Sequence, residues 1–227
     1  MKYKAIIFDF NGVLLFDADL QAQSWQGIAK DLRGCEMTAD ELETHMHGRP
    51  NSYVLNYLAG RTVTGQELLN LIQAKESFYR ELCLQNPGRL VLSPGARDLL
   101  EMLTRSNIPR TVATSSEVTN LKFFIQHLSL DRWFDVTKIV YDDGARPGKP
   151  APDMYLAAAR NIWVAPSDCM VVEDAVSGLQ AAHAAGIGCI IGLGPSAAHS
   201  KLLAHPGVVA VIEGLEQFPR NKLLRAS

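Results

Sequence analysis

Ile6-Ile7-Phe8-Asp9-Phe10-Asn11-Gly12-Val13-Leu14 is a β-branched run that delivers an aspartate into a glycine turn. A buried strand ending on a carboxylate sets that group at the carboxyl edge of a sheet, where open α/β folds bind ligands. The rest of the chain shows what kind of sheet this strand enters. Beyond it the pattern is helical, over about residues 17–30, 38–46, 52–58 and 64–84, with no convincing strand before Asn86-Pro87-Gly88. Alternation then resumes. Ser93-Pro94 reads as the N-cap and first position of a helix that stops near Asn107. Residues 110–114 read as a strand, and Leu121, Phe124, Ile125 and Leu128 follow at helical spacing. Residues 136–140 are strand-like, a helix covers about 153–161, and residues 169–173 form a strand. An alanine-rich helix over 175–185 closes at Gly186, and residues 188–191 and 208–212 are the last strands.

Strands alternating with helices predict an α/β fold with a parallel sheet covered on both faces. The all-helical stretch cannot belong to that alternation. It is expected to be an inserted α-helical cap after strand 1, residues 16–92, with residues 1–15 and 93–227 forming the catalytic core.

Composition narrows the function classes. The chain has 227 residues, 47% of them apolar and 20% charged, enough for a buried core. Its 22 basic and 24 acidic residues leave a net charge of -2, too balanced for nucleic acid or an anionic membrane as partner. No apolar run approaches a membrane span, and Met1-Lys2-Tyr3-Lys4 leads directly into a strand without a signal peptide. Cys35, Cys83, Cys169 and Cys189 show no paired spacing, so a reducing cytoplasm is expected. The oligomeric state is not fixed by the sequence, and a monomer is the default expectation.

Three further signals join Asp9: Thr114-Ser115-Ser116 after an apolar strand, Lys149 in a Gly-Lys-Pro loop, and Glu173-Asp174 after Met170-Val171-Val172. Each alone has an ordinary structural reading as a strand end, a turn or a helix cap. In this order and at these element ends they describe one chemistry. An aspartate can attack phosphorus and split a displacement into two steps through an aspartyl-phosphate. Attack by an anion on a phosphate dianion needs neutralisation, which magnesium held by carboxylates supplies. Lys149 adds a positive charge, and Thr114 and Ser115, with backbone N–H groups at a helix start, can hold phosphate oxygens.

These four signals resemble the four motifs of the haloacid dehalogenase-like hydrolases, in the branch that includes β-phosphoglucomutase and small capped phosphatases. The resemblance implies a Rossmann-like core with a mobile helical cap. It also implies Asp9 as nucleophile, Thr114 as the motif-two hydroxyl and Lys149 as the motif-three lysine. Magnesium would be held by Asp9, the backbone carbonyl of Asn11, Glu173 and Asp174. Where the family carries a second aspartate, which protonates the leaving oxygen and activates water, this chain has Asn11. Asparagine can hydrogen-bond there but cannot move a proton, a loss of about 10²–10⁴-fold. A histidine frequent in the mutase is replaced by Gln21.

In the cap, His47-Gly48-Arg49-Pro50-Asn51 resembles the substrate loop of capped phosphatases, with Gly48 giving freedom and Arg49 gripping a second anionic or hydroxylated part of the substrate. His45, His47 and Cys35 lack a zinc spacing and are expected at the surface or between helices. Trp25 lies at helical spacing with Leu20, Ile28 and Leu32 and is expected to pack in a core. The chain has no G-x-G-x-x-G, no Walker loop (Pro150 follows Lys149) and no G-x-S-x-G elbow.

The expectation is a magnesium-dependent phosphatase of a small phosphorylated metabolite, sugar phosphates leading by family analogy. A phosphosugar mutase is set back by Asn11 and Gln21. A dehalogenase is opposed by the acid pair, and a phosphate-binding relative without turnover is favoured only by Asn11.

Overall fold

The computed structural model describes residues 2–223. In chain order, β1 (Ala5–Phe8) is followed by four helices, α1 (Ala18–Arg33), α2 (Ala39–Glu41), α3 (Asn51–Ala59) and α4 (Gly65–Gln85). A π-helical turn, Leu42–Met46, continues α2. Then come α5 (Ala96–Arg105), β2 (Arg110–Glu117), α6 (Val118–Leu128), β3 (Val140–Asp142), α7 (Asp153–Asn161), β4 (Cys169–Glu173), α8 (Val176–Ala184), β5 (Cys189–Leu193), α9 (His199–Leu203) and β6 (Val208–Ile212). The chain divides into two units: residues up to Phe16 together with those from Leu92 onward, and the helical stretch Asp17–Val91.

All strand pairs in the first unit are parallel, in the order β3-β2-β1-β4-β5-β6. Ile7 is flanked by Thr111 on one side and Val171 on the other, so β1 lies inside the sheet. Every residue of β1, β4 and β5 is buried, because helices cover both faces. Ala5, Ile7 and Val171 pack with Met154, Tyr155 and Ala158 of α7 and Leu179 and Ala182 of α8. Helix α5 buries Ala96, Leu99, Leu100 and Leu103, one stripe at three- and four-residue spacing.

The helical unit has its own core, in which Trp25, Ile28 and Ala29 of α1 pack with Met37, Met46, Val54, Leu55 and Leu58. Trp25 therefore lies in a core, as its spacing suggested.

Three local readings need correction. Helix α5 starts at Ala96 with Gly95, at φ 76°, as N-cap. Ser93 instead ties the chain to the β1 turn, its hydroxyl donating to the Val13 carbonyl at 2.6 Å. Residues 136–138 form a 3₁₀ turn rather than a strand, because the Asp135 carboxylate accepts the Thr137 N–H; the strand is Val140–Asp142. Strand β2 continues to Glu117 with an irregular register against β3, so Thr114 and Ser115 are strand residues rather than the entry to a helix.

Candidate active site

Asp9 follows β1 directly, and its backbone N–H donates to the Val172 carbonyl of the neighbouring strand at 3.0 Å. That bond fixes the residue beside the end of β4, where Glu173 is the last strand residue. Lys149, from the loop after β3, donates to Asp9 Oδ1 at 2.6 Å and to Glu173 Oε1 at 2.5 Å. All three side chains are buried. Parallel order explains the convergence: β1 and β4 are adjacent, so their carboxyl ends lie side by side.

The turn after Asp9 is held by the Val13, Leu14 and Leu15 N–H groups donating to the Phe10 carbonyl. Gly12 has φ 80°, and a Cβ there would lie 1.9 Å from Asp174 Oδ2. Only glycine allows both that backbone conformation and the close passage of Asp174. Gly178 performs the same service for Glu173, since a Cβ would fall 1.6 Å from Oε1. The Glu173 carboxylate cannot easily yield, being held also by the Tyr155 hydroxyl (3.0 Å) and the Ala175 N–H (2.9 Å). Gly178→Ala is therefore expected to lower the melting temperature, by about 1–3 kcal/mol of overpacking, and to reduce activity with it. An unchanged melting curve and rate would mean that Glu173 moves freely.

The acid cluster has the make-up of a cation site. Asp9, Glu173 and Asp174 offer carboxylate oxygens that all lie within 4.8 Å of one another. Gathering three carboxylates in a largely buried site is costly, and a bound cation would offset that cost. Burial pushes the Asp9 carboxyl up to about 7 against the pull of Lys149, with Glu173 adding to the rise. Burial also opposes the Lys149 charge, but Asp9 and Glu173 outweigh it and hold the ammonium above its ordinary range. Tyr155 is driven far up by burial and by Glu173, so its phenol stays protonated and donates. The donor set fits a hard divalent ion such as magnesium: Asp9, Glu173 and Asp174 supply oxygens, and Asp174 is the least buried of the three.

Thr114 is buried, and its Oγ1 accepts the Ser116 N–H at 3.1 Å, leaving the hydroxyl proton to donate elsewhere. The Ser115 hydroxyl is buried and makes no hydrogen bond among the described residues. The expected role of a helix start does not hold here. The Glu117 carboxylate accepts the Thr119 and Asn120 N–H groups, so this side chain caps α6 and takes the donors an anion would use. The Asn11 carboxamide is anchored, its Oδ1 accepting the Ser116 hydroxyl at 2.7 Å. Tyr155 is a contact of this site that the sequence did not single out, and Ser116, read there only as part of the Thr114-Ser115-Ser116 run, proves to hold Asn11.

Gly48 and Arg49 belong to the helical unit. Gly48 has φ 66°, and the Arg49 guanidinium stands 4.8 Å from the Tyr53 ring centroid. The same unit buries a polar cluster that the sequence reading missed. Asp17 Oδ2 accepts from the Tyr79 hydroxyl (2.6 Å) and from Gln21 Nε2 (3.1 Å). Lys75 Nζ donates to Gln21 Oε1 (2.7 Å) and Glu76 Oε1 (3.1 Å), and Asn51 Nδ2 donates to Glu76 Oε1 (2.7 Å). A signal was present: Lys75 and Glu76 share the buried stripe of α4 with Tyr79, Leu82 and Cys83.

A six-stranded parallel sheet thus gathers a strand-end aspartate, a lysine and an acid pair at one edge. The chain belongs to the haloacid dehalogenase-like hydrolases, whose family description matches residues 3–186. It is 30% identical over 214 residues to a phosphorylated carbohydrates phosphatase of Thermotoga maritima, covering 92% of this chain and 94% of that one. It is 30% identical over 190 residues to a β-phosphoglucomutase of Bacillus subtilis, covering 81% and 80%. A crystal structure of a family IA, variant 3 hydrolase from Entamoeba histolytica superposes with a TM-score of 0.86 at 35% identity, covering 98% and 97%. The protein is accordingly an enzyme of the phosphoric monoester hydrolase kind. No helix among the described residues is long and apolar enough to cross a membrane.

Proposed function

We propose that the protein is a magnesium-dependent phosphatase acting on a small, sugar-like phosphate ester through an aspartyl-phosphate on Asp9. The observation that carries this is the contact of Asp9 Oδ1 with Lys149 at 2.6 Å inside a cluster with Glu173 and Asp174. Magnesium, held by Asp9, the Asn11 carbonyl, Glu173 and Asp174, would neutralise the phosphate and lower the cost of bringing an anion to it.

One Asp9 oxygen attacks phosphorus, forming an O–P bond as the ester O–P bond breaks. Lys149, held by Asp9 and Glu173, offsets charge on the transferring phosphoryl oxygens, and the Thr114 and Ser115 hydroxyls donate to them. Water then attacks the phosphorus of the acyl phosphate, releasing inorganic phosphate and regenerating the carboxylate. Asn11 holds its place by the Ser116 hydrogen bond but carries no proton, so the leaving alkoxide takes one from water. In the cap, Gly48 and Arg49 contact the part of the substrate remote from the phosphate. Four unpaired thiols suit a reducing compartment such as the cytoplasm.

The test is phosphate release from a panel of phosphorylated metabolites, with magnesium and with a chelator. Release of phosphate from sugar phosphates that stops on chelation is expected. Isomerised substrate without free phosphate would mean a mutase, and no turnover of any ester would mean a binding protein.

A further inference from the structure

We propose that Tyr53 and His45 are positioning residues that pre-set the Arg49 guanidinium for the substrate's second anionic or hydroxylated group. The inference rests on the role given to Arg49 above. Arginine on a glycine-led loop has many rotamers, and fixing them on binding costs affinity. The Arg49 guanidinium is not left to wander. It lies over the Tyr53 ring at 4.8 Å, inside the range in which a cation is attracted to a ring face.

Tyr53 is itself braced. Its hydroxyl meets His45 Nδ1 at 2.9 Å, and the two rings stack at 6.0 Å with an interplanar angle of 24°. His45 stacks more closely on Tyr57, at 3.9 Å and 15°. Tyr53 and Tyr57 lie one turn apart on the same face of α3, so a single imidazole can contact both. The Tyr57 hydroxyl donates to Glu41 Oε1 at 2.5 Å, and Glu41 forms a two-pronged pair with Arg33 at 2.6 and 2.9 Å. Glu41 also closes a capping box with Thr38 at the start of α2. A continuous line of contacts therefore runs from Arg33 on α1 through Glu41, Tyr57, His45 and Tyr53 to Arg49.

The π-helical turn explains how His45 comes to its place. Residues 42–46 carry a wider turn than an α-helix, which changes the direction of the side chains on it, His45 among them. Such turns are frequent at functional sites. Core packing does not require Tyr53. Tyr53 is 36% exposed, while the neighbouring Val54, Leu55 and Leu58 fill the core of the unit. Replacing Tyr53 should leave the fold in place.

The experiment compares kcat and KM for the best sugar phosphate and for p-nitrophenyl phosphate, an aryl ester with no second polar arm. The enzymes are the parent, Arg49→Ala, Tyr53→Leu, Tyr53→Phe and the Arg49→Ala/Tyr53→Leu double variant. Tyr53→Leu is expected to raise KM for the sugar phosphate about 2–5-fold, the value of one exposed cation–ring contact. The loss on the aryl ester should be smaller. Tyr53→Phe keeps the ring and should retain more than Tyr53→Leu. The double variant should lose no more than Arg49→Ala alone, because Tyr53 acts through Arg49. If Arg49→Ala raises KM and Tyr53→Leu does not, or if the two losses multiply, the positioning role is wrong and the role of Arg49 stands. Equal losses on both esters in Tyr53→Leu would make Tyr53 structural and overturn the proposal. An Arg49→Ala variant unchanged on every sugar phosphate would overturn the role of Arg49 and the inference with it.

Discussion

Asp9→Asn is expected to release no measurable phosphate from any ester and to bind magnesium more weakly than the parent. A carboxamide oxygen is a poor nucleophile toward phosphorus, and removing the nucleophile of a hydrolase costs on the order of 10⁶-fold in kcat. The same change removes one of the three carboxylates that cluster within 4.8 Å, so the magnesium affinity falls with it. Lys149 would keep only Glu173 as a charged partner, and the folded protein should survive because that pair remains at 2.5 Å. Phosphate release and a calorimetric magnesium titration measure the two effects. Retained turnover with intact folding would rule out the covalent route.

Asn11→Asp carries the second large effect, in the opposite direction. Restoring a carboxylate two residues beyond Asp9 provides a group that can protonate a departing alkoxide and then deprotonate water. Alkyl phosphate hydrolysis should accelerate by up to about 10²–10⁴-fold. Aryl and acyl phosphates, whose leaving groups depart unaided, should gain much less. The site is prepared for the change, since the Ser116 hydroxyl already donates to the Asn11 oxygen at 2.7 Å and can do the same for a carboxylate. In the parent enzyme the phosphoenzyme should be long-lived, because its hydrolysis lacks a base beside Asp9. An Asn11→Asp variant no faster on any alkyl phosphate would show that proton transfer does not limit turnover, or that another group performs it.

Residues attached to strand ends were legible in the sequence, and residues that act across the fold were not. Asp9 and the Glu173-Asp174 pair each follow an apolar run, Lys149 lies in the loop after a strand, and parallel strand order brings such ends together. Tyr155 gave no such signal. On an alanine-rich helix it reads as core, and it is core, but its hydroxyl meets Glu173 and its ring lies 5.1 Å from the Lys149 ammonium. The extent of β2 was hidden by its polar end. Ser115-Ser116-Glu117 looks like a loop by composition, yet Glu117 pairs with Asp142 of β3 beyond a register irregularity. Lys75 and Glu76 mislead in the opposite way: a Lys-Glu pair suggests a solvated helix face, whereas Gln21 and Asn51 supply the hydrogen bonds that let both be buried.

The interior place of β1 has a consequence for how the chain comes to be folded. β1 is made before both of its neighbours: β2 and β4 are synthesised only after the whole helical stretch and, for β4, after α5 to α7 as well. Its four apolar residues stay without sheet partners throughout that interval, whereas Asp17–Val91 contains a core of its own and can condense as soon as it leaves the ribosome. Closing the sheet then depends on contacts remote in sequence, which form slowly and leave a hydrophobic strand open to wrong pairings. The strand that carries Asp9 at its end is thereby open to wrong pairings for as long as β2 and β4 are missing.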